Sequence, residues 1–446
     1  MGRKNLVLLG ISFFMSLFFI NSAFAIPTFA RKYRTSCNTC HIAIPKLTAF
    51  GESYRLNGYQ IPEGDAAYVK EEPVSLGAPA WKRVWPEAVW PGMIPGPVPL
   101  SVRIISDFKV NQASEAASTD FNFPHEIELM MAGLLDENLP FFAEIEFEKE
   151  TSSSSVETDV EAWLGFYNLF SNALPERALN LKVGTLGINP LPMANDHLRI
   201  GKNHYLYNDW RLSSASSGAN GFRLRDHRGG LELNGILADR FWYGGGVVNG
   251  VNSTDKDGYI ITRYKFGGTP FSKSAPGGGT EEAIKGKASG FWVDNALELA
   301  SFGYFGSTEI GAAATANQED DKFWRAGFAL RNTYQNFDLN AGYIWGNNDD
   351  PYGSSSAQNI NSQSWFVETN YVFKPWLIGE LRYEALDVDM PTDFTVTNLD
   401  RARWVPGLIF QIRPNIKLVA EALIYSKYKV ASDRQNNFVA RLDANF

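Results

Sequence analysis

From about Leu100 to Phe446, apolar and polar residues alternate with a period of two. Between 140 and 149, Phe141, Ala143, Ile145 and Phe147 fall on one side, and Glu144, Glu146 and Glu148 on the other. Trp324, Ala326, Phe328 and Leu330 oppose Arg325 and Arg331, and Leu377, Leu381, Tyr383 and Ala385 oppose Glu380, Arg382 and Glu384. Further on, Ile416, Leu418, Ala420, Ala422 and Ile424 stand against Lys417, Glu421 and Lys427. Successive side chains of an extended chain point to opposite faces, so each segment predicts a strand with one apolar and one polar face.

A soluble β-sandwich alternates in the same way. Two features favour a membrane barrel. Aromatic residues recur near the ends of the apolar faces, and short links at 136–139, 374–376 and 413–415 interleave with long polar ones. Hydrocarbon offers the backbone no partner, so a sheet that spans it must close on itself. The pattern yields about 17 candidate strands, where a bacterial barrel needs an even number, about 16. The doubtful zones are 188–221 and 267–290, rich in Gly, Ser, Pro and Asn. The expected fold is all-β: a transmembrane antiparallel β-barrel of about 16 strands over 100–446, with a small N-terminal segment as its plug.

The chain ahead of the barrel divides in two. Arg3 and Lys4, an apolar run from Leu6 to Ile20, and Ala23-Phe24-Ala25 read as a secretory signal over 1–25. The run is shorter than the roughly 20 residues a spanning helix needs. Residues 26–99 then hold the chemistry and a connector rich in Trp and Pro (Trp81, Trp85, Pro86, Trp90, Pro91, Pro95, Pro97, Pro99), where proline excludes regular helix or sheet.

The chemistry is Cys37-Asn38-Thr39-Cys40-His41, which contains both cysteines of the chain. C-x-x-C-H is the attachment motif of a c-type haem: the thiols add across the vinyl groups and the imidazole ligates the iron. A disulfide is the alternative in an oxidising compartment. A zinc site would need further Cys or His ligands nearby, and a thioredoxin-like motif would need a βαβ context. The reading is one covalent haem c, cofactor-binding residues Cys37, Cys40 and His41, with His41 the proximal ligand.

The sixth ligand stays open among Met93, Met130, Met131, Met193, His125, His197, His204 and His227. Met93, in Pro91-Gly92-Met93-Ile94-Pro95, is the distal candidate, since it shares the segment of the haem. Met193 and His197 lie in a long connection able to fold into a lumen; Met130 and Met131 read as ordinary strand side chains. An open iron site would point instead to peroxidase-like chemistry. Glu144, Glu146 and Glu148 form an acidic stripe that reads first as a solvated face, and second as a weak site for cations such as Fe²⁺.

Composition narrows the partners. Mean hydropathy is -0.21 and aromatic residues make up 14%, which suits a barrel rather than helical spans. The net charge of -8 argues against nucleic acid, whose phosphates need a basic footprint.

The haem segment resembles the fused cytochrome–porins of iron-oxidising bacteria. The matching residues are Pro27-Thr28-Phe29-Ala30-Arg31, Cys37-Asn38-Thr39-Cys40-His41, Pro45-Lys46-Leu47-Thr48-Ala49-Phe50-Gly51 and Leu56-Asn57-Gly58-Tyr59. The C-terminal Phe446, on one face with Phe438, Ala440, Leu442 and Ala444, resembles the assembly signal of outer-membrane proteins. The first resemblance implies a bacterial outer-membrane electron conduit with its haem on the periplasmic side or in the lumen. Its partners would be periplasmic electron carriers (cytochromes), an extracellular redox substrate with Fe(II) among the donors, and the lipid bilayer. A solute porin with a haem-bearing gating or sensing plug is the alternative.

Overall fold

The computed structural model describes residues 28–62, 64–70, 74–75, 93–94, 100–112, 117–149, 156–188, 191–193, 199–209, 212, 220–251, 254–273, 294–310, 319–351, 359–389, 400–428 and 436–446. The signal segment 1–25 and the connector tryptophans and prolines fall outside these residues.

The N-terminal segment contains helix α1 (Thr28–Tyr33), a two-strand ladder of β1 (His41–Ala43) with β2 (Lys46–Leu47), and helix α2 (Ala49–Leu56). A second small ladder joins β3 (Val74–Ser75) to β4 (Met93–Ile94). The barrel begins with β5 (Leu100–Gln112), β6 (Ala117–Asp136), β7 (Leu139–Lys149), β8 (Val156–Phe166) and β9 (Asn180–Gly187). It continues through β10 (His227–Leu237), β11 (Phe241–Asn249), β12 (Lys256–Gly267), β13 (Ala296–Ile310) and β14 (Glu319–Tyr334). It ends with β15 (Phe337–Asn348), β16 (Ile360–Lys374), β17 (Leu377–Val388), β18 (Arg401–Arg413), β19 (Ile416–Tyr428) and β20 (Asn436–Asn445).

Every neighbouring pair is antiparallel, and β20 closes on β5, giving a closed barrel of sixteen strands. Phe446 completes the seam: its amide donates to the Val102 carbonyl and its carbonyl accepts from the Val102 amide. The barrel has sixteen strands rather than seventeen; the described residues of 188–226 lie outside the sheet between β9 and β10, and most of 267–290 lies outside the described residues.

The faces are inverted relative to a soluble protein. Leu231, Ile260, Phe305, Phe328 and Trp404 point outward and exposed, while Arg263, Arg382, Glu368, Asp107 and Asp443 are buried inside. Lipid as the outer solvent accounts for that arrangement. The turns at 136–139, 334–337, 374–377 and 413–416 lie at one end, together with the start of β5 and the end of β20.

The lumen is filled by two inserts. The first is the N-terminal segment, which touches strands around the ring. Glu52 pairs with Arg263 of β12 at 2.6 Å, Lys46 with Asp338 of β15 and Glu368 of β16 at 3.2 and 3.5 Å, and Gln411 of β18 donates to the Ile42 carbonyl. Gln60 donates to the Glu137 carbonyl, in a short turn, at 2.7 Å. This segment therefore occupies the half of the barrel at the short-turn end.

The second insert is the β9–β10 connection. Its Tyr205 hydroxyl donates to Glu368 at 2.5 Å, its Leu206 amide to Glu384 at 2.7 Å, and Lys417 donates to the Ile200 carbonyl at 3.0 Å. Leu191, Met193, Tyr205, Tyr207, Phe222 and Leu224 pack with Tyr304, Phe323 and Phe366 of the wall into one buried cluster. Ala43 and Ile200 share another cluster, so the two inserts meet.

Candidate functional site

Cys37 opens a single 3-10 turn, Cys37–Thr39, in which the Cys40 amide donates to the Cys37 carbonyl at 3.1 Å. The turn brings the two cysteines to one side, and they form no disulfide. Thr48 then binds the motif to helix α2. Its hydroxyl donates to the Thr39 carbonyl at 3.0 Å and accepts from the Gly51 amide at 3.1 Å, and its own amide donates to the Cys40 carbonyl at 2.9 Å. Thr48 is thus the N-cap of α2, satisfying a donor the helix leaves free.

His41 stands at the start of β1. Its Nδ1–H donates to the Pro45 carbonyl at 3.1 Å, which fixes the tautomer with the Nε2 lone pair free. Burial pushes the imidazole down to about 4, so it is neutral at ordinary pH. Burial lifts the Cys37 thiol to about 11 and, with Cys37 alongside, the Cys40 thiol to about 12.

All three residues line a cavity of about 320 Å³, within the range of cofactor sites. Phe29, Leu47, Leu56 and Tyr59 contribute walls from the N-terminal segment. From the barrel come Met130, Phe142, Glu144, Trp163, Gly187 and Trp242 among others, and Pro192 comes from the far insert. Tyr59 stacks on Phe29, Phe142 and Trp163 with centroids 5.3, 5.8 and 6.0 Å apart, near-parallel rings that make a flat apolar wall. The residues fit the group that the motif implies: two unpaired thiols, a neutral imidazole with one nitrogen free, and a flat aromatic side around one cavity.

The Phe29, Leu47, Gly51, Leu56 and Tyr59 positions quoted for the resemblance converge here. Leu47 and Leu56 face the cavity, and Gly51 packs on the motif backbone.

The remaining ligand candidates are dispersed. Met93 pairs through its backbone with Ser75, and its side chain falls outside the described residues, as does His197. Met193 is buried in the hydrophobic cluster away from the cavity lining. His125 lies 3.6 Å from Asp107 and 3.4 Å from Glu148, His204 lies 3.4 Å from Arg225, and His227 lies 3.0 Å from Asp159 and 3.6 Å from Glu161. None of these histidines lines the cavity. Met131 faces outward, and Met130 lines the cavity.

The acidic stripe is wider than one strand. Register places Glu126 opposite Glu148 and Glu128 opposite Glu146 across β6 and β7. Across β7 and β8, Glu144 faces Glu161, Glu146 faces Asp159, and Glu148 faces Glu157. Carboxylate oxygens of Glu126, Glu128 and Glu146 lie within 4.8 Å of one another. Below this wall the same strands present Ala132, Phe142 and Trp163, so the carboxylates descend to the cavity. Like charges directly opposite cost stability, and Arg103, His125 and His227 are their basic neighbours. The acidic residues Glu126 and Glu128, and Glu157, Asp159 and Glu161, have the same period of two as the stripe at 144–148.

Solved porin structures resemble this chain. The outer membrane channel DcaP of Acinetobacter baumannii superposes with a TM-score of 0.50 at 11% identity, over 78% of this chain and 96% of its own. Salmonella typhi OmpF, solved in complex with daunomycin, gives 0.51 at 10% identity, over 78% and 97%. The fold is the porin-type barrel of outer-membrane proteins. At these identities the likeness is one of architecture. No family model matches the chain, and no curated protein does.

Proposed function

We propose that this protein is a bacterial outer-membrane electron conduit. Cys37 and Cys40 would tether a haem c through thioethers, and His41 would ligate its iron from the proximal side. The observation that carries the reading is the position of the motif: inside a closed barrel whose lumen is filled from both ends. A diffusing solute meets two packed inserts there, whereas an electron needs only short gaps between redox sites. When bound, the group supplies one reversible one-electron site.

The chain's own residues supply the rest. The aromatic wall and Leu47 and Leu56 keep the cavity apolar, and the Pro45 carbonyl orients the imidazole. The short-turn end, where both barrel termini lie, is periplasmic by the porin rule, which puts the motif within reach of periplasmic cytochromes. The acidic wall of β6–β8 leads from the long-loop side toward the cavity and favours a cationic extracellular partner, Fe(II) among them. The outward apolar face takes the lipid bilayer.

The test uses the purified protein in liposomes loaded with oxidised cytochrome c, with Fe(II) supplied outside only. Reduction of the protein's haem and then of the trapped carrier is the expected result. Cys37→Ala abolishes both; wild-type transfer in that variant would sink the proposal. The porin fold itself favours a second reading, a solute channel gated by its plug. Sizeable passive conductance of the unmodified protein in planar bilayers would establish that reading instead.

A further inference from the structure

We infer that Met130 is the sixth ligand of the iron that His41 would hold. The inference rests on the haem reading above and adds one residue to that site. It starts from the strand pattern. On β6 the even positions face inward: Glu126, Glu128, Met130 and Ala132 lie on the side of the cavity, and Ile127, Leu129 and Met131 on the other. A thioether is an apolar group, and lipid contact would place it where Met131 stands. Met130 instead follows two carboxylates along the strand and lies directly opposite a third, Glu144. Met130 stands where the lumenal wall passes from these carboxylates to the apolar Ala132, Phe142 and Trp163.

Met130 lines the same cavity as Cys37, Cys40 and His41. Thioether sulfur is a soft donor that binds haem iron opposite histidine. Three competing donors already hold partners. Among the described residues that line the cavity there is no second imidazole. Lys182 lies 4.5 Å over the Trp163 ring and 3.6 Å from Glu232. The Tyr54 hydroxyl accepts from Tyr33, and Glu128 is bound at 2.7 Å by Arg103. Ligation by Met130 would tie the barrel wall to the N-terminal segment through the iron, and a methionine ligand raises the potential relative to a nitrogen donor.

The experiment uses full-length protein made in cells that attach c-type haem, purified in detergent. The readouts are haem attachment by mass, the weak sulfur-to-iron charge-transfer band of the oxidised form at the red end of the spectrum, and the midpoint potential. The wild type is expected to show the band. Met130→Leu keeps the volume and should keep the covalent haem while losing the band. Met130→His should restore a six-coordinate low-spin spectrum without the band and at a lower potential than wild type. Haem-bearing wild type with no band, or Met130→Leu with the band intact, overturns the assignment. Wild type with unmodified cysteines would overturn the haem reading itself and this assignment with it, a result that mass alone distinguishes.

Discussion

Gly51 carries much of the site through the side chain it lacks. A Cβ there would fall 2.1 Å from the Cys40 carbonyl oxygen, so the close approach of α2 to the motif requires glycine. Gly51→Ala must push the helix off the turn, at about 1–3 kcal/mol for overpacking. The ratio of haem absorbance to protein should fall while the barrel still forms. Next to it, Glu52 lies 3.2 Å from Arg55 and 2.6 Å from Arg263, which also holds Glu298 at 2.5 Å. Burial alone would raise the Glu52 carboxyl, but the two guanidiniums hold it well below the usual carboxylate range. A depressed carboxyl stabilises docking fully above its ordinary value of 4.5, and that stabilisation drains away as pH falls below it. Limited proteolysis of the N-terminal segment should therefore accelerate as pH falls from 5 toward 3, by the physics of about one proton. Glu52→Ala should loosen the segment by about 3–5 kcal/mol at neutral pH and flatten that dependence. Unchanged proteolysis in the variant would show that this pair does not hold the plug.

At the scale of elements, the strands were legible because lipid enforces a strict alternation, and Phe328 against Arg325 is as plain in the sequence as in the barrel. The Cys37–His41 motif was legible because its chemistry is local. The β9–β10 insert was not. Leu191, Ile200, Tyr205, Leu212 and Phe222 follow no period, and they are buried only because the barrel wall and the N-terminal segment surround them. The acidic wall was half legible: each strand announces its own carboxylates, but only register sets Glu146 between Glu128 and Asp159. That Met130 lines the cavity was not legible either, since it depends on what the lumen holds. The N-terminal segment packs the short-turn half and the β9–β10 insert runs from there toward the long-loop side, which makes a prediction about conductance. Replacing 189–224 by a short linker should leave planar-bilayer conductance low, because 28–70 still blocks the short-turn half. Removing both inserts should open a porin-sized pore. A large conductance from the first deletion alone would mean that the N-terminal segment does not seal its half.

At the scale of the whole molecule, charge and topology act together. The chain carries a net charge of -8, and eight carboxylates of β6–β8 are gathered on one strip of the lumenal wall. A low-dielectric barrel concentrates that field along the strip, from the long-loop rim to the cavity. Focused fields of this kind raise the on-rate of an oppositely charged partner by about 10–10³ and fade as salt screens them. Glu146 and Asp159 stand midway along the strip, away from the cavity lining. Glu146→Gln with Asp159→Asn should therefore slow reduction of the protein by external Fe(II) by about tenfold or less at low ionic strength. An anionic donor such as ferrocyanide should gain in rate instead, since the same field repels it. High salt should bring wild type and variant together for both donors. That opposite response separates guidance by charge from damage to the site, because a damaged site slows every donor and ignores salt. Equal slowing of the cationic and anionic donors would remove the wall from the path of the electron's source.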